Sequence, residues 1–283
     1  MGDEMAGDAV VSFRDVKFFP YEGRVRGVFL RRFEFFVDDR SLRRIGAFRV
    51  EDGSLVFSGV ARDRAERKVR VILDQEMRHM RSILTKKRVW YLHKGCGVPL
   101  IGAGEFGVVD RGTNIIEVKP MTGCNLNCSF CSVDEGKNKK VLDVFIDPDF
   151  LAEEACRVAA IKKHRVEFNI GPHGEPLLYP SLVRLVRLLS SCKGGKEGCC
   201  AVSMNTNAVL LTTRLVDDLA AAGLSRLNVS LHALDEELAR RLYGAPYPLR
   251  HVLGMLRYAA KKVDVLLTPV VVPGVNEDAV KEV

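Results

Sequence analysis

The 283-residue sequence predicts an α/β protein: a parallel sheet with crossover helices over residues 113–283, preceded by a smaller, basic α+β region over residues 1–112. Three observations carry this. From residue 113 onward, short strand-like runs alternate with helical patterns, the arrangement of parallel strands joined by crossover helices. Before residue 113, strand and turn signals follow one another around one charged helix. The net charge of +7 is also unevenly divided: residues 1–112 hold 22 Lys and Arg against 16 Asp and Glu, and residues 113–283 hold 21 against 20.

Residues 10–60 read as β-rich. Phe48-Arg49-Val50 and Leu55-Val56-Phe57 flank Glu51-Asp52-Gly53, a hairpin signal built on an Asp-Gly turn. Residues 62–87 are highly charged, and Val69, Ile72, Leu73, Met77, Met80 and Ile83 recur near helical spacing, which predicts an amphipathic helix. Trp90 to Gly112 holds six glycines and short apolar runs, the texture of loops and short strands. Arg24, Arg26, Arg31, Arg32, Arg43 and Arg44 interleave with Phe29, Phe33, Phe35 and Phe36. Period-two alternation sends most of those Phe residues into a core and the Arg residues into water. The competing reading is a basic sheet that stacks bases and holds phosphates, hence an RNA partner.

In the second region, strands are expected at 115–118, 166–170, 201–204, 227–231 and 263–272. Helices are expected at 150–161, after Asp147-Pro148 as a start signal, and then at 182–189, 212–222, 235–242 and 250–261. Residues 276–283 read as the start of another helix. The expectation is a core that is incomplete at its C-terminus, truncated after about five strands. No apolar run approaches the ~20 residues of a membrane helix, and residues 1–14 show no secretory pattern, so a cytoplasmic protein without a membrane partner is expected. In such a chain the eight cysteines read as thiols or ligands rather than a disulfide framework.

Residues 124–131, C-N-L-N-C-S-F-C, carry three of them at the spacing C-x3-C-x2-C. An iron–sulfur cluster normally takes four thiolates. Three leave one iron open to a small molecule, on the βα-loop side of the sheet where such sites form. Two other readings remain at this point: a three-Cys zinc site completed by a distant residue, and a plain electron-transfer cluster. Cys192, Cys199 and Cys200 do not have the spacing of a ligand set. They join a helix to the third strand, on the opposite side, and read as free thiols or an occasional disulfide.

Cys124, Cys128 and Cys131, with Phe130 just before the last, resemble the signature of the radical S-adenosylmethionine (radical SAM) superfamily. Gly171-Pro172-His173-Gly174-Glu175-Pro176 resembles its G-G-E-P stretch, with His173 in place of the first glycine. Asn205-Thr206-Asn207-Ala208, Ser230-Leu231-His232 and Val272-Pro273-Gly274 resemble its later strand-end motifs. The resemblance implies a partial (β/α)6 barrel. It also implies a 4Fe-4S cluster on the three cysteines, and SAM cleaved reductively to methionine and a 5′-deoxyadenosyl radical that abstracts hydrogen from a substrate. Cofactor contacts are implied at Phe130, Gly174, Glu175, Pro176, Thr206, Ser230 and Gly274, with Glu175 receiving the SAM ammonium. An electron donor such as a ferredoxin or flavodoxin is implied as a partner. Residues 123–136 are similar to a run in archaeal Fe–S oxidoreductases, and the overall pattern is similar to the branch containing the GTP-cyclising enzyme of molybdenum cofactor biosynthesis. The expected role is cofactor or small-molecule biosynthesis, with RNA modification as the alternative and no substrate named by the sequence.

Overall fold

Alternation with a period of two marks several of the antiparallel strands found in the first ninety residues. The structure, a computed structural model, describes residues 7–133, 136, 141–194 and 200–283. The chain divides into two units between Trp90 and Tyr91. In the first, β1 (Ala9–Val11), β2 (Val16–Tyr21), β3 (Arg24–Phe29) and β4 (Phe33–Asp38) are followed by α1 (Asp39–Arg43), β5 (Phe48–Glu51), β6 (Ser54–Phe57), α2 (Arg62–Glu76) and β7 (Arg81–Ser82). The boundary falls within β8 (Arg88–Leu92). One sheet has the order β1-β6-β5. In the other, β2, β3, β4, β7 and β8 pair antiparallel in sequence. The expected hairpin is present: Glu51 faces Ser54, and Asp52 and Gly53 both take positive φ (49° and 74°), as a two-residue turn of this kind requires. Phe18, Phe33 and Phe35 are buried, so these phenylalanines make the core. Gly27 in β3 leaves room for the Phe35 ring, which comes within 2.2 Å of where a Cβ would sit.

The helix expected over 62–87 ends at Glu76. Met80 still reaches the core, but as an extended residue. Beyond it the backbone turns back on itself: Val89 N–H donates to Met80 O, Ser82 N–H to Lys87 O, and Lys86 takes φ 60°. Hydrophobic spacing alone could not separate a last helical turn from the first residue of a strand.

The second unit runs β9 (Gly107–Asp110), β10 (Ile115–Lys119), β11 (Leu142–Ile146), α3 (Pro148–Ala160), β12 (Val166–Ile170), α4 (Leu182–Ser190), β13 (Cys200–Thr206), α5 (Thr213–Ala221), β14 (Arg226–Val229), α6 (Glu236–Tyr243), α7 (Leu249–Ala259), β15 (Asp264–Leu267) and α8 (Glu277–Val280). β10, β12, β13, β14 and β15 are parallel neighbours in that order, the five strands expected, and β9 adds antiparallel to β10. The result is a mixed α/β fold whose sheet has two edges, β9 and β15, with no sixth parallel strand among the described residues. The boundary expected at 112/113 lies instead at 90/91. Residues 100–110 belong with the second unit because Gly107 pairs with Lys119 and Val108 N–H donates to Leu100 O (2.7 Å). Asp147 caps α3 by accepting from the N–H groups of Asp149 and Phe150, and Pro148 fits the first helical turn, as expected.

The parallel sheet has two unlike faces. Ile116, Val118, Phe168, Ile170, Val202, Met204, Leu227 and Val229 are buried on one. Registered pairs Glu117–Asn169, Asn169–Ser203 and Asn205–Asn228 line the other.

Gly107 carries a prediction. Its φ is 87° and a Cβ there would stand 2.1 Å from Leu100 O, a backbone atom. Gly107→Ala should destabilise the protein by about 2 kcal/mol or more, seen as a lower midpoint in thermal or urea unfolding. An unchanged midpoint would show that residues 100–110 are not built onto β10 in this way.

Candidate active site at the C-terminal ends of the parallel strands

The cysteine loop leaves β10 and is fixed at two places. On its incoming side Thr122 N–H donates to Val144 O, Val144 N–H donates back to Thr122 Oγ1 (2.9 Å), and Met121 bridges Phe145. β11, which sequence reading passed over, is this anchor. Farther along, Asn127 N–H donates to Tyr243 O and Ser129 N–H to Leu242 O. These are carbonyls at the end of α6, where the helix leaves its last acceptors without internal partners. Gly244 stops the helix in the left-handed region (φ 58°). A Cβ there would lie 2.2 Å from Asn127 O, so only glycine lets the loop approach so closely.

Cys124, Cys128 and Cys131 line one cavity of about 440 Å³. Phe130, Gly174, Glu175, Thr206 and Ser230 line it too. Thus eight of the ten residues expected at the site come together in the structure. Pro176 is buried in the short helical turn that follows Glu175 and does not reach the cavity. Gly274 does not line it either: its N–H donates to Glu277 Oε1, and Val270 from the same loop forms the wall instead. His173 is likewise absent from the wall, whereas His232 forms part of it. Cys200 opens β13, the end of the strand opposite Thr206, and is buried. Cys192 is joined to Cys156 of α3 as a disulfide. Cys199 lies outside the described residues.

Glu175 is the centre of the site. It is 2% exposed. Oε1 accepts from Leu177 N–H (3.0 Å) and Thr206 Oγ1 (2.7 Å), and Oε2 from Asn207 N–H (2.8 Å). Its own N–H donates to Gly123 O, just ahead of Cys124. Burial pushes its carboxyl pKa up, while the donors from Asn207, Thr206 and Leu177 oppose that rise. A carboxylate has about four lone-pair sites, so these three bonds leave room for one more donor. Thr206, expected among the cofactor contacts, spends its hydroxyl proton on Glu175 in this structure.

Asn207 extends the tie. Its Nδ2 donates to Asn125 Oδ1 (2.9 Å) and lies 3.8 Å from Cys124 Sγ. Leu126 N–H also points at Cys124 Sγ (3.4 Å). Burial, with Glu175 adding to it, pushes the Cys124 thiol up to about 12, and burial with Cys131 pushes Cys128 up to about 11. Thiolates in this wall need a cation to balance them. Among the described residues, no three His, Cys, Asp or Glu side chains close on a single ion. Three soft thiolate ligands lining one small-molecule-sized cavity fit an iron–sulfur cluster with one iron left for a ligand.

The far wall is aromatic. Phe130 meets His232 edge to face (4.7 Å between centroids), His232 lies 5.3 Å from Tyr243, and Tyr243 stacks on Tyr247 at 4.0 Å. His232 Nδ1 accepts from Val270 N–H (3.0 Å), so the proton of the neutral ring sits on Nε2. Burial pulls its pKa down to about 4, which keeps the ring neutral near pH 7. Asn276 Nδ2 holds both His232 O and Val270 O, which fixes the loop after β15 to this wall.

Below the cavity, the polar face of the sheet carries a closed ring of six side chains. Arg226 donates to Glu167 and to Asn228 Oδ1, Asn228 Nδ2 to Asn205 Oδ1, Asn169 Nδ2 to both Asn205 Oδ1 and Ser203 Oγ, and Ser203 Oγ to Glu167. Arg226 can only donate. It therefore fixes the orientation of the Asn228 amide, and through it that of Asn205. Asn205 lines the cavity. No role was assigned from sequence to this ring or to Asn207, Tyr243 or Asn276, although Asn205 and Asn207 fall within one of the strand-end stretches noted there. The ring had a signal: V-E-F-N-I, V-S-M-N and R-L-N-V alternate polar with apolar, unlike the continuous apolar strands of a sheet buried on both faces.

The chain resembles known proteins over most of its second unit. The Radical SAM superfamily pattern matches residues 118–283. An uncharacterized protein of Methanocaldococcus jannaschii is 38% identical over 210 residues, covering 72% of this chain and 48% of its own length. The GTP 3′,8-cyclase of Gloeobacter violaceus is 32% identical over 175 residues, covering 60% of this chain and 50% of its own. The solved structure of anSMEcpe with bound AdoMet aligns with a TM-score of 0.45 at 19% identity, over 59% of this chain and 48% of that one. The chain spans about half the length of the curated relatives it matches.

Glu175→Gln tests the tie. Whichever way the amide is turned, its NH2 faces a backbone N–H, of Asn207 or of Leu177. The expected cost is about 1–3 kcal/mol for a buried donor left without an acceptor, read as a melting point several degrees lower. A variant as stable as wild type would show that the carboxylate is not what joins these loops.

Proposed function

The chain belongs to the radical SAM superfamily, and we propose that it is the portion of a radical SAM enzyme that holds a 4Fe-4S cluster and SAM and acts on a polar small molecule. The observation that supports this most is the single cavity shared by the three loop cysteines and the strand-end residues Glu175, Thr206 and Ser230. When bound, the cluster supplies an electron that cleaves SAM to methionine and a 5′-deoxyadenosyl radical, which takes hydrogen from the substrate.

The chain's own residues would divide the work as follows. Cys124, Cys128 and Cys131 hold the cluster, with the Leu126 N–H and the Asn207 side-chain Nδ2 near the first sulfur. Glu175 offers its remaining lone pair to the SAM ammonium, a charge-assisted contact. Gly174 (φ 67°) brings its backbone close to the cysteine loop: a Cβ there would lie 2.7 Å from Gly123 O. Thr206 and Ser230 set the polar edge of the cavity. Pro176 and Gly274 act through the loops they shape. Phe130, His232 and Tyr243 exclude water from one side. The ring of Arg226, Glu167, Ser203, Asn169, Asn205 and Asn228 would form the substrate side of the chamber, which favours a hydrogen-bonding molecule over an apolar one. The cyclase relatives act on GTP by name, so a nucleotide is the first candidate. An external one-electron donor, such as a ferredoxin or flavodoxin, would complete the system. No helix among the described residues is long and apolar enough to cross a membrane.

Anaerobic reconstitution of the full-length protein with iron and sulfide tests this reading. Reduced protein with SAM should form 5′-deoxyadenosine. Cys128→Ala should lose most of its bound iron and nearly all of that product. Full iron content in Cys128→Ala would overturn the ligand assignment. Intact cluster without any SAM cleavage, with or without nucleotides, would favour an electron carrier.

A further inference from the structure

The outward face of the first unit's larger sheet is unlike an ordinary solvated face. Register places Phe19, Arg26 and Phe36 directly opposite one another on β2, β3 and β4, and Tyr21 opposite Arg24 in the next row. The same face continues through Arg81 of β7, opposite Glu34, to Arg88 of β8, and two residues on to Trp90. Phe19, Tyr21 and Trp90 are 46%, 41% and 55% exposed, large aromatics left in water on one side of a sheet whose other side is the core. Tyr21 lies 5.1 Å from Phe36, and the Arg24 guanidinium stands over the Phe36 ring at 5.4 Å.

The cations on this face outnumber the acids. Arg26 and Lys86 pair with Glu34. Lys17, Arg81 and Arg88 are exposed, and none of them forms an ion pair among the described residues. The interleaving seen in sequence thus separates into two sets. Phe33 and Phe35 serve the core, while Phe19, Tyr21, Phe36 and Trp90 share the open face with Lys17, Arg24, Arg81 and Arg88.

We propose that this face binds single-stranded RNA, with bases stacked on Phe19, Tyr21 and Trp90 and phosphates held by Lys17, Arg24, Arg81 and Arg88. Flat aromatics on a sheet offer a surface to any unpaired base, and neighbouring cations track the backbone. A duplex hides its bases and could not use the rings. An acidic peptide would use the cations but not the aromatic spacing. The proposal stands apart from the radical chemistry, because it needs neither cluster nor SAM.

Fluorescence anisotropy with a labelled, unstructured 20-nucleotide RNA and the full chain tests it. Four phosphate contacts predict that affinity falls ~50-fold between ~50 and ~200 mM salt. Phe19→Ala, Tyr21→Ala and Trp90→Ala should each weaken binding about 5-fold or more, and Arg81→Glu with Arg88→Glu should weaken it further. These side chains are exposed, so wild-type melting points should accompany the losses; a variant that melts early is replaced by its Leu counterpart. A duplex of the same length should bind at least 10-fold more weakly. No binding at ~50 mM salt, full displacement by poly-glutamate at equal charge, or unchanged affinity in all three aromatic variants would overturn the assignment.

Discussion

One buried carboxylate organises the loops at the C-terminal ends of the second unit's parallel strands. Glu175 accepts from Leu177, Thr206 and Asn207, while its own N–H holds Gly123 O. Three separate loops, after β10, β12 and β13, are therefore joined at one residue. Its burial is costly for a charge, and three donors offset that cost. The cysteine spacing would mean little if the loop that carries it were free to wander. This tie, with the α6 carbonyls on the loop's other side, holds the thiols along a wall instead of leaving them on a flexible tether.

The second constraint is the two-faced sheet. An apolar face covered by helices gives stability, and a polar face leaves a chamber that can receive a polar ligand. The closed ring of side chains resolves the problem such a face creates, since half-buried amides without partners would be expensive. Arg226 sets the direction of every amide in the ring because it can only donate. A purely apolar interior would have fixed the fold equally well, but it would have offered nothing to recognise.

Much of this was legible in the sequence. The five parallel strands and most crossover helices follow from alternation and from start signals such as Asp147-Pro148. The three cysteines and five further residues of the cavity follow from motif resemblance. What escaped has a common physical cause: it depends on contacts between segments distant in sequence. β11 is recognised only when Thr122 meets Val144. The edge strand β9 moves the boundary because it pairs with β10. Tyr243 is one tyrosine at the end of an amphipathic helix until its ring is seen beside His232. Cys156 and Cys192, 36 residues apart, carry no local sign of their pairing. On the N-terminal sheet, alternation sent most of Phe29, Phe33, Phe35 and Phe36 to a core; Phe33 and Phe35 are buried there, and alternation could not show that Phe19, Tyr21 and Trp90 share one open face.

The central claim is that three loop thiols leave a cluster iron open beside a cavity shaped for SAM. Electron paramagnetic resonance of the reduced, reconstituted protein tests it most directly, with SAM labelled with 15N at its amino group and 17O at its carboxylate. The account predicts that SAM alters the cluster spectrum and that both labels produce hyperfine coupling to it. An identical spectrum with and without saturating SAM, showing no coupling from either label, would contradict it.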